Sequence, residues 1–223
     1  MSALKWILFA FVLMPVMASC CSRCCCSSIY QPITFYSNVT WNDTVWDDMR
    51  VPLVNAKTGG IHDPTFVRLA RNKAASSEGV YGYIFDDSIE EELFFDAQMP
   101  HSYKEGTTIH SHVHFTPWKQ GTDVGNVRWC LEYIIADIDE NFANETTITC
   151  GDYYMGVGND YTHLYLDIGD IEGTDYKISN IIIGRVYRAA ADQYDSYPGG
   201  VVLHEIDFHF EIDTLGSSTE LNK

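Results

Sequence analysis

The sequence predicts an all-β protein, an antiparallel two-sheet β-sandwich of jelly-roll type. Two observations predict it. Apolar and polar side chains alternate along residues 126–135 and 201–213, which is typical of antiparallel strands with one buried face. The other strand-like segments are short and separated by turn signals, and no segment keeps a capped 3.6-residue period. A chain of 223 residues is long enough for one such domain.

The first element is a hydrophobic segment, residues 1–28, which we separate from a single sandwich domain over residues 29–223. Its apolar run, residues 6–19, follows Lys5 and resembles the core of a signal peptide. A cleaved secretory signal, a lipoprotein signal and an uncleaved anchor with acylated cysteines all fit this pattern. We favour membrane attachment with acylation of the five clustered cysteines, which are Cys20, Cys21, Cys24, Cys25 and Cys26.

Candidate strands follow along the domain, each bounded by turn residues. They cover residues 33–39, 44–51, 65–70, 80–85, 92–99, 108–116, 126–136, 162–168, 177–188 and 201–213. The alternation is clear in two of these segments, residues 126–135 and 201–213. There the inward sets are Val127, Trp129, Leu131, Tyr133 and Ile135 in one strand, and Val202, His204, Ile206, Phe208, Phe210 and Ile212 in the other.

Two cysteines lie far from the N-terminal cluster. Cys130 falls within a predicted strand, where a buried free thiol is the expected state. A disulfide between Cys130 and Cys150 stays open as an alternative in an oxidising compartment. The candidate glycosylation sites are the sequon asparagines Asn38, Asn42 and Asn144.

Histidines occupy every second position of the predicted strand over residues 108–116: His110, His112 and His114. The alternation places them on the polar face, opposite Ile109 and the other core residues. Neighbours on one face of a strand lie about 6.6–6.8 Å apart at the backbone, so two of them could chelate one metal ion.

A complete metal site would need a further ligand from elsewhere in the chain. A cupin-type site adds a glutamate shortly after its histidines, but the following TPWKQG has no carboxylate. His209, Glu205 and Asp207 are the natural suppliers. We expect a polar strand face near a subunit or partner contact and no cofactor, with a metal site as the alternative, formed by His110, His112, His114 and His209. Structural roles are expected for His62, His101, His163 and His204.

Charge and motifs restrict the function classes. With 14 Lys and Arg against 31 Asp and Glu, the net charge is -17, which repels phosphate backbones and disfavours nucleic-acid binding. The motifs of serine hydrolases, P-loop nucleotidases, zinc proteases and dinucleotide-binding enzymes do not occur. We therefore predict a non-enzyme with no catalytic residues.

Four stretches carry a family resemblance: VWDDMRVPL (45–53), FFDAQMPHSYKEGTTIHSHVHFTP (94–117), VRWCLEY (127–133) and FHFEIDTLGSSTELNK (208–223). They resemble a virion-associated β-sandwich domain of tailed phages and large aquatic DNA viruses. Its pattern is W-D-D-x-R, P-H-x-x-K-E-G-T-x-I-x-P-H-V-H-W, W-x-L-E-Y and H-Y-x-I-D-T-L-G-S. This chain has Ser111 where the pattern has proline and Phe115 where it has tryptophan. It also has an additional hydrophobic, cysteine-rich segment at its N-terminus.

The resemblance implies a viral structural protein, a minor capsid or virion surface component. Its partners would be other virion proteins and further copies of itself in a homo-oligomer such as a trimer. Residues 1–28 suggest a membrane-associated location in the virion. The first alternative is a membrane-attached or secreted glycan-binding module at a cell surface. The second, which we favour less, is a cupin-like metalloprotein.

Overall fold

Two antiparallel sheets make up the computed structural model, which describes residues 43–118 and 123–223. The strands are β1 (Val45–Pro52), β2 (Thr65–Ala70), β3 (Val80–Phe85), β4 (Glu91–Gln98), β5 (Ile109–Pro117), β6 (Gly125–Ala136), β7 (Thr147–Met155), β8 (Leu164–Ile171), β9 (Ile181–Arg188) and β10 (Val201–Ile212). A 3-10 turn, Leu53–Asn55, follows β1. The predicted all-β class is confirmed.

The strand order is that of a jelly roll. Strands β3-β10-β5-β8 form one sheet and β4-β9-β6-β7 the other. The first sheet gains β2 beside β3, and it gains β1 beside β10, which makes it six-stranded. β10 lies at its centre, with β5 along one side and β3 followed by β1 along the other.

The core between the sheets is rich in aromatic side chains. The Trp129 ring on β6 meets Phe85 edge-on, with ring centroids 4.9 Å apart, and lies 6.0 Å from Phe115. Phe208 on β10 faces Phe95 across the sandwich at 6.0 Å. These five side chains are buried, and burying each large apolar side chain contributes about 1.5–3 kcal/mol.

β10 departs from its predicted alternation in its first half. A register shift between Leu203 and Glu205 marks a β-bulge opposite β5. Val201 and Leu203 consequently face the core, whereas Val202 and His204 were predicted to face it; Val202 is buried but is not part of the core cluster, and His204 is only half-buried. Past the bulge, the predicted inward faces of Ile206, Phe208 and Phe210 are confirmed; Ile212, in the same predicted set, is only partly buried.

β7 has no counterpart among the predicted strands. Exposed polar side chains and Gly151 interrupt its apolar pattern, although it pairs with β6 along its length. That pairing sets Cys150 directly opposite Cys130, and the two form a disulfide with Cα atoms 4.1 Å apart. The prediction of a free thiol at Cys130 is therefore wrong. Its partner, Cys150, lies on β7, a strand that the sequence analysis did not predict.

A buried ion pair holds the connection between β9 and β10. Arg188 on β9 donates two hydrogen bonds to the Asp195 carboxylate, of 2.8 and 2.9 Å, and both side chains are inaccessible or nearly so. The same guanidinium donates to the carbonyl oxygens of Tyr197 and Gly199, each at 2.7 Å. Each of the three guanidinium nitrogens thus donates to an acceptor, which compensates the burial of the charge.

Several predicted features lie outside the described residues. They are the segment 1–28 with its five cysteines, the strand over residues 33–39, and the sequons at Asn38 and Asn42. Asn144 is exposed in the loop between β6 and β7. Within residues 43–118 and 123–223, no helix is long and apolar enough to cross a bilayer.

Candidate functional site

The outer face of the six-stranded sheet carries four of the eight histidines of the protein. We call the outward surface of β1, β10, β5 and β8 the histidine face. Its side chains are Trp46, Asp48, Arg50, His110, His112, His114, Tyr165, Asp167, Asp170, Glu205, Asp207 and His209.

Antiparallel pairing aligns these side chains in rows across the four strands. The rows are Pro52, Glu205, His114 and Tyr165; then Arg50, Asp207, His112 and Asp167; then Asp48, His209, His110 and Asp170. Side chains directly opposite one another on one face have Cβ atoms about 4.5–5.5 Å apart. Each row therefore brings carboxylates and imidazoles into contact.

Asp207 lies at the centre of the histidine face with only 7% of its side chain exposed. Its Oδ2 lies 3.3 Å from His114 Nε2, and its Oδ1 lies 3.5 Å from His112 Nδ1. Among the described residues, Oδ1 accepts no hydrogen bond of good geometry although it is inaccessible to solvent. Contact with Asp207 raises the pKa of His112 above its ordinary value, outweighing burial, which acts in the opposite direction.

Partners beside the central row orient His114 and Glu205. His114 Nδ1 lies 2.9 Å from His163 Nε2, in the turn before β8. Arg50 donates to both oxygens of Glu205, with distances of 2.6 to 3.2 Å. His114 is therefore held at Nδ1 and presents Nε2 toward Asp207, whereas Glu205 is held at both of its oxygens.

The third row contains two further histidine–carboxylate pairs. His209 Nδ1 lies 2.5 Å from Asp48, and His110 Nδ1 lies 2.6 Å from Asp170. The Trp46 ring stacks parallel to the His209 ring at 4.8 Å, with an interplanar angle of 4°. One face of the indole is thus covered by imidazole.

Exposed aromatic rings flank the rows. Trp46 is 38% exposed at one edge of the histidine face, and Tyr165 on β8 is 61% exposed at the other. Tyr165 also touches the edge of His112, with ring centroids 5.7 Å apart. Between the two rings lie the hydrogen-bonding groups of β10 and β5.

The sequence correctly places His110, His112 and His114 on the outer face of β5, opposite buried Ile109 and Phe115. Among the residues that the structure describes, His110, His112, His114 and His209 do not form one group of potential metal ligands. Instead, two groups of potential ligands have their atoms within 4.8 Å of one another among the described residues. One is His114, Glu205 and Asp207, and the other is His110, Asp167 and Asp170.

The remaining histidines divide between the histidine face and other places. His163 bonds to His114, and His204 bonds to the Thr116 hydroxyl at 2.6 Å, so both adjoin the histidine face. Burial lowers the pKa of His204. His101 is held by hydroxyls of Ser217 and Ser179 at 2.6 and 3.1 Å, as its expected structural role requires.

The sequence interpretation missed several members of the site. Trp46, Asp167 and Asp170 are not among the predicted site residues, because only the strand order brings them beside β5 and β10. The stretches that carry the family resemblance are better guides. The W-D-D-x-R stretch lies on β1, the histidine stretch on β5 and the start of the I-D-T-L-G-S stretch on β10, three adjacent strands.

No protein-family profile and no curated protein matches the sequence. Several solved structures of carbohydrate-binding modules are similar to it. CBM35 from Cellvibrio japonicus Abf62 is 9% identical with a TM-score of 0.37, covering 79% of this chain and 99% of that one. The CBM22-2 xylan-binding domain of Paenibacillus barcinonensis Xyn10C is 10% identical with a TM-score of 0.37, covering 77% and 99%.

A third similar structure is TmCBM61 in complex with beta-1,4-galactotriose. It is 11% identical with a TM-score of 0.32, and the match covers 74% of this chain and 88% of that one. At these identities and TM-scores, no residue role or ligand is carried over to this protein.

Proposed function

We propose that this protein is a non-enzymatic glycan-binding module whose binding surface is the histidine face. The observation that carries the proposal is the placement of two exposed aromatic rings, Trp46 and Tyr165, on either side of rows of carboxylates and imidazoles. A sugar ring presents apolar C–H groups on its faces and hydroxyls around its rim. The histidine face offers a matching partner to each.

The aromatic rings suit the apolar faces of sugars. The Trp46 ring stacks parallel to the His209 ring, which fixes its orientation. Little side-chain entropy is therefore lost when a ligand binds to Trp46. Tyr165 is in T-shaped contact with the His112 ring. Tryptophan and tyrosine provide large, rigid contact areas with few rotatable bonds, which is why they dominate many binding surfaces.

The polar groups favour a neutral glycan. Carboxylates and neutral imidazoles accept hydrogen bonds from hydroxyls, and an imidazole N–H can donate one. The histidine face carries five carboxylates and one guanidinium, and the whole chain has a net charge of -17. Sialylated and sulfated glycans would be repelled by this surface.

Replacing Trp46 or Tyr165 with alanine should weaken binding of the full chain to a neutral glycan by about tenfold each, or about 1.4 kcal/mol. A glycan array identifies the ligand, and titration calorimetry measures the affinities. Tyr154→Ala is the matched control, since Tyr154 is 64% exposed on β7 of the other sheet. Its affinity should equal that of the unmodified chain.

Two results would contradict the proposal. One is an array with no neutral-glycan binding, and the other is equal binding by the Trp46, Tyr165 and Tyr154 variants. Circular dichroism spectra that match the unmodified chain would show that any loss comes from the binding surface.

A viral structural role is the second candidate. The observation that favours it is the order of four stretches resembling the phage and aquatic-virus domain, three of which lie in adjacent strands. We propose that the protein is a minor capsid or surface component of a virion, in contact with other virion proteins and with copies of itself. A virion surface protein that binds glycans would unite the two candidates.

The proposed location is a membrane-associated one on the virion or cell surface. The apolar segment 6–19 and the cysteines after it support attachment. The Cys130–Cys150 disulfide supports a compartment outside the reducing cytosol. Each acyl CH₂ group that enters the bilayer adds about 0.8 kcal/mol of binding free energy.

Removing residues 1–28 should release the protein from membranes in a flotation assay. Replacing Cys20, Cys21, Cys24, Cys25 and Cys26 by serine keeps the apolar run and tests acylation separately. The serine variant should float less than the unmodified chain, because an apolar segment of this length is short for a stable span. A chain without residues 1–28 that still floats would refute attachment through this segment.

A further inference from the structure

We propose that His114, Glu205 and Asp207, at the centre of the histidine face, bind a zinc ion. One ligand atom from each lies within 4.8 Å of the others. This proposal departs from the expectation that the protein has no cofactor, and it does not depend on glycan binding. It also replaces the four-histidine set with one imidazole and two carboxylates.

The environment of Asp207 is the first argument. Its carboxylate is 93% buried, and its Oδ1 is inaccessible without accepting a hydrogen bond of good geometry from any described residue. A buried carboxylate is costly unless a cation or several donors compensate it. A divalent ion beside Asp207 supplies that compensation.

The spacing of the ligands is the second argument. Zinc binds nitrogen and oxygen ligands at about 2.0–2.2 Å, so two ligands of a tetrahedral ion lie about 3.3–3.6 Å apart. His114 Nε2 and Asp207 Oδ2 are 3.3 Å apart. That separation is long for a charge-assisted hydrogen bond but suits two ligands of one ion.

Outer partners hold His114 and Glu205 in the required orientation. With its proton on Nδ1, His114 donates to His163 Nε2 at 2.9 Å, which leaves the Nε2 lone pair directed at Asp207. A metal-bound histidine commonly has such a partner on its second nitrogen. Arg50 donates to Glu205 Oε2 at 2.6 Å and more weakly to Oε1 at 3.2 Å, and since each carboxylate oxygen has two lone pairs, one on Oε1 stays available to the ion.

The β-bulge in β10 brings Glu205 into the group. Because the register shifts between Leu203 and Glu205, Glu205 lies opposite His114, and Asp207 follows two residues later on the same face. Bulges commonly redirect side chains at functional sites. The three protein ligands leave a fourth position for water.

The donor set favours zinc over magnesium or calcium. Magnesium and calcium take oxygen ligands, whereas imidazole suits zinc and its neighbours among the transition metals. The two carboxylates balance the charge of the ion. The other group, His110, Asp167 and Asp170, lacks these features: Asp170 is 61% exposed and already bonded to His110 at 2.6 Å. It serves as an internal control.

The test is a zinc titration of the full chain at neutral pH, followed by calorimetry. Free cysteines would bind zinc themselves, so they are first alkylated with iodoacetamide, which spares the disulfide of Cys130 and Cys150. We expect one zinc ion per chain and X-ray absorption from nitrogen and oxygen ligands without sulfur. Zinc should also raise the melting temperature, since it binds the folded state.

Asp207→Asn and His114→Gln should each weaken zinc binding by about 100-fold or more, and His163→Gln by about 10–100-fold. Asp170→Asn should leave the affinity within about twofold, because Asp170 belongs to the other group. His114→Gln keeps the test decisive if Asp207→Asn fails to fold.

Two outcomes would overturn the zinc site. One is an alkylated chain that binds no zinc in excess metal. The other is zinc binding that Asp207→Asn and His114→Gln leave unchanged, or that Asp170→Asn weakens to the same extent. Glycan binding by the metal-free chain would be unaffected by either outcome.

Discussion

Replacing Phe208 with alanine is expected to lower the free energy of unfolding by about 3–5 kcal/mol. Phe208 is fully buried at the middle of β10, and its ring faces Phe95 of the other sheet. Truncation removes apolar contacts and leaves a cavity between two sheets whose backbones cannot collapse into it. Urea unfolding measures the loss, and the melting temperature should fall by roughly 2–4 °C per kcal/mol.

Phe142→Ala is the control for this substitution. Phe142 lies exposed in the loop between β6 and β7, so its removal should change stability by about 0.5 kcal/mol or less. Similar melting temperatures for the two variants would mean that Phe208 does not anchor the core as its burial indicates.

Replacing Arg188 with methionine is expected to cost a comparable 3–5 kcal/mol or so, although methionine is apolar and similar in length. The substitution leaves the buried Asp195 carboxylate without its two guanidinium donors. It also leaves the carbonyls of Tyr197 and Gly199 without their donor. The expected loss of stability therefore comes from buried polar groups left without hydrogen-bond donors and not from a smaller side-chain volume.

A double variant separates these causes. Arg188→Met with Asp195→Asn removes the stranded charge while keeping an acceptor for the Arg128 backbone N–H, which bonds to Asp195 at 2.9 Å. It should be more stable than Arg188→Met alone. Lys177→Met, which breaks the exposed pair with Asp137, should cost about 0–1 kcal/mol. A double variant no more stable than the single one would show that the unpaired Asp195 charge is not the main cause of the loss.

Alternation predicts the faces of β5 and the second half of β10 because the sandwich buries one side of each strand. Trp129, Leu131 and Tyr133 on β6 follow the same rule. A period of two is a property of the strand itself, so it is visible in the sequence without knowledge of the neighbours.

Other parts of the fold depend on interactions between segments. Val201 and Leu203 are buried beside Val202 because a bulge changes the register with β5. β7 is held by pairing with β6 and by a disulfide, so its polar, glycine-containing sequence gives no strong strand signal. Nothing local in either segment reveals these partners.

The candidate site was predictable only at its centre. The three histidines of β5 mark the face, and Glu205 and Asp207 are suggested as partners by their alternation on β10. Trp46 and Tyr165 join them because β1 and β8 flank β10 and β5. Strand order is a global property, and the spacing of residues along the chain does not encode it directly.

The place of β10 has a consequence for biosynthesis. Of the described strands, β10 is the last to be synthesised, yet it lies at the centre of the six-stranded sheet and pairs with β1, β3 and β5. Until it emerges, β3 and β5 present unpaired edges that can associate with other chains. Glu205 and Asp207 arrive on this strand as well, so a nascent chain cannot assemble the histidine face. A ribosome stalled shortly before residue 201 would thus hold an aggregation-prone chain that lacks the histidine face.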